Sequence, residues 1–219
     1  MKNDRPNILW IQTDQQRADS VGCLSNLPVH TPTLDGLAAR GTLFANHHVQ
    51  SPVCVPSRVC ELTGRYPHQT GILDNRVHYN HGVWPEGLTT FPEVFATHGY
   101  ATVNMGKYHH PHHATWTENW HYELSDATPI HGELAADYRD EDFDIIHIGN
   151  RPRGPIVGGV HPYPEEKTPE ATLTDHAAHW LRHYRAIRRP FFLRVSYLAP
   201  HAPVLCPRSW YDHYADVHF

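Results

Sequence analysis

Cys54 opens the run Cys54-Val55-Pro56-Ser57-Arg58, which continues through Leu62-Thr63-Gly64-Arg65. The pattern reads as a cysteine in a loop, Ser51 to Pro56, ahead of a helix over Ser57 to Thr63. Ser57 can cap that helix and Gly64 can stop it. Free N–H groups and the positive end of a helix favour an anion. Arg58 adds a permanent charge and a forked donor suited to sulfate or phosphate. A thiol in that setting would have a lowered pKa beside an oxyanion pocket. A buried structural cysteine next to a helix cap accounts for the same residues equally well.

Other side chains with chemical capacity follow apolar runs. Asp14 and Gln15 come after Asn7 to Thr13, Lys107 and His109 after Tyr100 to Met105, and His201 after Phe191 to Tyr197. Each run is short and apolar, as a buried strand of a parallel sheet is, and such sheets place their ligands past the carboxyl ends of the strands. Taken singly, Asp14 reads as a strand-end turn residue and Lys107-Tyr108-His109 as a solvated turn. A further strand is expected over Thr42 to Val49. Helices are expected over Thr33 to Arg40, capped by Thr33, over Thr90 to His98, and over Pro169 to Ala186, where Leu173, Ala177, Trp180, Leu181 and Tyr184 share a face. Strands alternating with helices imply an α/β fold with a mostly parallel sheet. The long stretch His109 to Thr168, dense in Pro, His, Gly and aromatics, must serve a site or carry small elements of its own.

The chain has 219 residues, enough for a real core, and a formal net charge of −5 with no basic run, which argues against a nucleic-acid partner. The N-terminus lacks a secretory h-region and no apolar run is long enough to span a membrane, so the expectation is a soluble cytoplasmic protein. Cys23, Cys54, Cys60 and Cys206 contain no C-x-x-C pair, which disfavours a zinc ribbon or a thioredoxin-like motif. Histidine is the outlier, at 21 residues, and most of these are assigned to the surface.

The twelve-position run Cys54 to Arg65 resembles the signature of the type I, formylglycine-dependent sulfatases, in the alkaline phosphatase superfamily, with Glu61 where that family usually has an apolar residue. Pro6 to Asp14 resembles the family's first strand, Thr31 to Gly41 its T-P-N-L-D helix, Gly106 to His109 its G-K-W-H element and Pro200 to Pro203 its P-H-x-P element. The resemblance implies an alkaline-phosphatase-like three-layer sandwich over residues 1–219, read as an N-terminal catalytic domain that is incomplete at its C-terminus. It implies hydrolysis of a sulfate monoester by a formylglycine made from Cys54 by a formylglycine-generating or anaerobic sulfatase-maturating enzyme. The metal site would comprise Asp14, Gln15 and residue 54, holding Ca²⁺ foremost, with Mn²⁺ or Mg²⁺ as alternatives. Arg58, Lys107 and His201 would hold the oxyanion and His109 would act as base. The substrate would be a sulfated small molecule or saccharide.

The pair Asp14-Gln15 replaces the family's Asp-Asp and keeps open a phosphonate or phosphate ester hydrolase on the same scaffold. The family's second acidic cluster finds no counterpart: Asp175-His176 lies in a helix, and Asp212-His213 is not expected past a strand end. Neither is taken as a ligand. The expectation is a fragment with little or no turnover of its own and an exposed sheet edge; a His-rich metal-binding protein is the remaining reading.

Overall fold

The computed structural model describes residues 5–76, 84–111, 118–120, 144–149, 156–162, 164–184 and 189–217. They form two compact units. The first comprises Met1–Gln12, Val49–Ala135 and Glu166–Leu198, and the second Thr13–His48, Ala136–Glu165 and Ala199–Phe219.

The first unit is built on a wholly parallel sheet of four strands: β1 (Ile8–Gln12), β2 (Ala101–Gly106), β3 (Glu118–Trp120) and β6 (Phe191–Ser196), in the order β1-β6-β2-β3. β2 and β6 are buried along nearly their whole length, which explains why their sequences are apolar runs rather than alternations. Helix α2 (Cys54–Thr63) and helix α4 (Phe91–Thr97) cover one face, where Val55, Val59 and Leu62 pack with Phe91, Phe95, Trp10 and Phe192. Helix α5 (Pro169–Tyr184) covers the other through Leu173 and Ala177, against Val103, Met105, Leu193 and Val195. Helices on both faces of a parallel sheet make the three-layer α/β sandwich that was expected. A four-residue helix, α3 (Pro67–Thr70), completes the unit.

The second unit holds helix α1 (Pro32–Arg40), helix α6 (Arg208–His213) and a mixed sheet in the order β4-β5-β7. Its strands are β4 (Asp144–Gly149), β5 (Ile156–His161) and β7 (Val204–Pro207); β4 and β5 are antiparallel, β5 and β7 parallel.

The helices of the sequence reading are present, as are its strands at β1, β2 and β6. α4 opens on a cap that the sequence reading did not include: Thr90 Oγ1 accepts from the Glu93 N–H, and the Glu93 carboxylate accepts from the Thr90 N–H, a capping box. Four local expectations are corrected. α2 begins at Cys54, not Ser57, because Pro56 sits in the first turn, where a missing N–H costs nothing; Ser57 is inside the helix and makes no cap. α1 begins at Pro32, so Thr33 cannot cap it, and Thr31 bonds its hydroxyl to Asp35 instead. Thr42 to Val49 forms turns rather than a strand; Phe44 and Val49 are exposed, and a strand without a partner has no ladder to stabilise it. Asp212 does follow a strand, β7, although it is exposed on α6 and faces Arg208 at 3.9 Å. The stretch from His109 to Thr168 carries β3, β4 and β5; the remainder of 112–155 lies outside the described residues, as do 185 and 186 at the end of the expected helix.

β1 borders one side of its sheet. Leu9 and Ile11, which alternate with Trp10, are 48% and 56% exposed, so among the described residues this face of β1 stays open. No helix of the described residues is long and apolar enough to cross a membrane.

Candidate active site

The first unit gathers its candidate residues at the carboxyl ends of β2 and β6. Gly106 ends β2 at φ 85°, and a Cβ there would stand 2.2 Å from the Ser196 carbonyl oxygen. Only glycine allows the two strand ends to approach so closely, and the Lys107 N–H then donates to that carbonyl at 2.8 Å. Lys107 is buried, at 3% exposure, and His109, two residues on, is buried with φ 45°. A left-handed conformation in a non-glycine residue is backbone strain of the kind concentrated at functional sites. His110 has a structural role: it is fully buried, rests on Tyr108 with ring centroids 3.6 Å apart, meets the edge of Trp84, and bonds through Nδ1 to the Pro111 carbonyl.

Cys54 is the first residue of α2 and Arg58 stands one turn further along, so the two share a helix face. Arg58 is 2% exposed, and its Nη1 donates to the Lys107 carbonyl at 3.1 Å and to Ser196 Oγ at 3.0 Å. Those bonds tie α2 to the ends of β2 and β6. The helix terminus itself offers fewer donors than expected, since Val55 N–H donates to Asn75 Oδ1 at 3.0 Å and Pro56 has none. Arg58 and Lys107 bring two buried basic side chains to this end of the unit. Ser196 and Asn75 escaped the sequence reading; neither belongs to a recognisable motif.

The second unit holds Asp14, Gln15 and His201. Asp14 is buried, its N–H donates to the Ala199 carbonyl at 3.3 Å, and a carboxylate oxygen of Asp14 and a ring nitrogen of His201 lie within 4.8 Å of each other. His201 is half-buried, with Nδ1 2.6 Å from the Ala202 carbonyl. Gln15 is exposed and has φ 60°, a second strained non-glycine residue. The chemistry of this set fits part of a hard-cation site: a buried carboxylate just past a strand end, with an amide oxygen next to it in sequence. Asp175 and Asp212 are both exposed and stand outside the pair.

The other cysteines differ in physical setting. Burial raises the Cys60 thiol above its ordinary pKa, aided by the neighbouring Glu61, and burial raises Cys206 as well. Cys23 is exposed. Under iodoacetamide at neutral pH, Cys60 is expected to alkylate at least about tenfold more slowly than Cys23, because both thiolate fraction and access are reduced. Timed peptide mass spectrometry checks this; comparable rates would mean that α2 opens readily.

Fold and residues together define a class, the α/β proteins of the alkaline-phosphatase-like architecture. The sulfatase family model matches residues 6–218, and the chain belongs to that family. It is 31% identical to human iduronate 2-sulfatase across 94% of its own length but 37% of the length of that enzyme. Among solved structures, a protein determined in complex with its substrate D-glucosamine-2-N,6-O-disulfate superposes with a TM-score of 0.69 at 24% identity, covering 99% of this chain and 39% of the other. A phosphonate monoester hydrolase of Agrobacterium radiobacter superposes with a TM-score of 0.73 at 19% identity, covering 94% and 43%. The chain thus spans about two fifths of the length of the relatives it matches.

Proposed function

We propose that this chain carries the nucleophile and the oxyanion-binding groups of a sulfate-ester hydrolase, with Cys54 converted to formylglycine by a maturation enzyme. The observation that supports this most directly is Cys54 at the start of α2 with Arg58 one turn along, buried and bonded to the ends of both central strands. In this reading the functional residues are those the family resemblance assigns: Cys54, Arg58, Lys107 and His109, with Asp14, Gln15 and His201. A formylglycine at 54 supplies, as its hydrate, a hydroxyl nucleophile for the sulfur. A divalent cation, Ca²⁺ foremost, would be held by Asp14 and Gln15 with residue 54, and when bound supplies neutralisation of sulfate charge.

The chain's own groups do the rest. Arg58 and Lys107 present fixed positive charge to the sulfate oxygens in a site shielded from water, where such charge acts strongly. His201 adds a ring nitrogen to the same anion. His109, held beside Lys107, accepts the proton released as the sulfate leaves. The substrate class is a sulfated sugar or small alcohol, in keeping with the disulfated glucosamine on the structural neighbour. A phosphonate monoester is the second reading, favoured by Asp14-Gln15 and by the fold neighbour of that activity.

The test is co-expression with a formylglycine-generating enzyme, followed by peptide mass spectrometry. Residue 54 is expected to show the mass loss of –CH₂SH becoming –CHO, with Cys23, Cys60 and Cys206 intact. An unmodified Cys54 peptide under those conditions would sink the proposal. Matched aryl sulfate and aryl phosphonate esters then separate the two substrate classes.

A further inference from the structure

Helix α5 buries Leu173, Ala177 and Tyr184 and turns His176, His179 and His183 to solvent. At about 100° per residue these histidines fall within an arc of roughly 60° on the helix. The rings of His179 and His183 face each other, with centroids 3.9 Å apart and planes at 33°. The spacing is i, i+4, the one at which a helix presents two imidazoles to a single zinc ion.

A second observation concerns ring orientation. Nδ1 of His183 lies 2.8 Å from the carbonyl oxygen of His179. That contact places the proton on Nδ1 and leaves the Nε2 lone pair as the ligand atom. A metal-ligating histidine ordinarily holds its other ring nitrogen in this way, by donation to a carbonyl or carboxylate. The helix beneath is fixed by its packing against β2 and β6, so the pair needs no reorganisation of the backbone to close on an ion.

We propose that His179 and His183 form a surface site for a borderline divalent cation of the Zn²⁺, Cu²⁺ or Ni²⁺ type, separate from the candidate active site, with water completing the coordination. Neutral imidazole favours these ions over Ca²⁺ and Mg²⁺, which take oxygen ligands. The site uses histidines that the proposed hydrolase chemistry leaves unemployed, and its ion would staple one turn of α5.

The experiment is a calorimetric titration of the chelator-treated 219-residue chain with Zn²⁺ in excess Ca²⁺. His179→Ala and His183→Ala are each expected to weaken one equivalent of Zn²⁺ by at least about tenfold. His47→Ala, an exposed histidine elsewhere, is expected to leave that equivalent unchanged, as is Asp14→Asn, which separates this site from the candidate active site. Because both positions are exposed on a helix, circular dichroism should show intact folding in each variant, and His183→Gln repeats the test with a helix-tolerant side chain. Titrations of His179→Ala or His183→Ala that match the wild type, or displacement of the ion by Ca²⁺, would overturn the proposal.

Discussion

Replacing Arg58 with Leu is expected to abolish the stabilisation of this protein by oxyanions. In the wild type, sulfate or vanadate should raise the unfolding midpoint, because Arg58 and Lys107 bring two positive charges into the interior, at 2% and 3% exposure, near the start of α2. An anion bound there relieves the cost of holding like charges out of water. At a hundredfold excess over its dissociation constant, a ligand specific for the native state adds about 2.7 kcal/mol, which for a chain of this size is on the order of 5–10 °C. Arg58→Leu removes the forked donor and should reduce that shift to little or nothing. It also withdraws the donor from Ser196 Oγ and the Lys107 carbonyl, which costs about 1–3 kcal/mol in the absence of any anion. The two effects are separable by melting each protein with and without sulfate. In any form that turns over an aryl sulfate, the same substitution is expected to lower kcat by about 10²–10³-fold, the usual effect of removing one oxyanion donor. An undiminished anion shift in Arg58→Leu would reduce Arg58 to a structural tie between α2 and the strand ends.

The second large effect is expected at Gln12. Arg194 is fully buried in the middle of β6, on the sheet face that also carries Trp10. Its Nε donates to Gln12 Oε1 at 2.9 Å, with Nη2 donating to the same oxygen, and its Nη1 donates to Asn104 Oδ1 at 3.2 Å. The guanidinium also lies over the Trp10 ring, 5.2 Å from its centroid. Gln12 passes the interaction on, donating through Nε2 to the Glu61 carboxylate at 2.8 Å. The chain of bonds therefore links β6, β1, β2 and α2, the elements from which His201, Asp14, Lys107 and Cys54 follow or arise. Gln12→Leu deprives a buried cation of its main acceptor, and a cost of about 2–4 kcal/mol is expected. Replacing Arg194 with Leu as well removes the charge that needed the acceptor, so the double variant should recover most of the loss. Denaturant unfolding of the wild type, both single variants and the double variant measures the coupling. Additive losses, with no recovery in the double variant, would show that Gln12 and Arg194 are energetically independent.

That network also explains Glu61, the position at which the signature around Cys54 departs from the family pattern. The Glu61 carboxylate on α2 accepts from Gln12 and supplies negative charge one bond removed from Arg194. Two signs of this were present in the chain itself: a carboxylate at a position of the motif where the family usually has an apolar residue, and an arginine inside the run Phe191 to Tyr197. A charged residue at a core position calls for a partner, but a linear sequence does not say which one.

Local physics was readable from the residues. The apolar runs at β1, β2 and β6, the apolar stripe of α5, and Gly64 at φ 65° after α2 each depend on neighbours within a turn or two of helix, or on a strand's own composition. The motif at Cys54 was legible for the same reason, and so was the placement of Asp14, Lys107 and His109 just past strand ends. What required tertiary structure depended on partners far away in the chain. The start of α2 could not be located from Pro56 alone, because Val55 N–H is satisfied by Asn75. Thr42 to Val49 has the composition of a strand, but a strand exists only where another strand pairs with it, and that segment remains an exposed turn. Ser196 became part of the site because Gly106 lets two strand ends come within a distance that no Cβ could tolerate. Hydrogen bonds between residues 90 to 182 positions apart, such as those of Arg194, carry no local signature, because it is the folded sheet that brings their partners into reach.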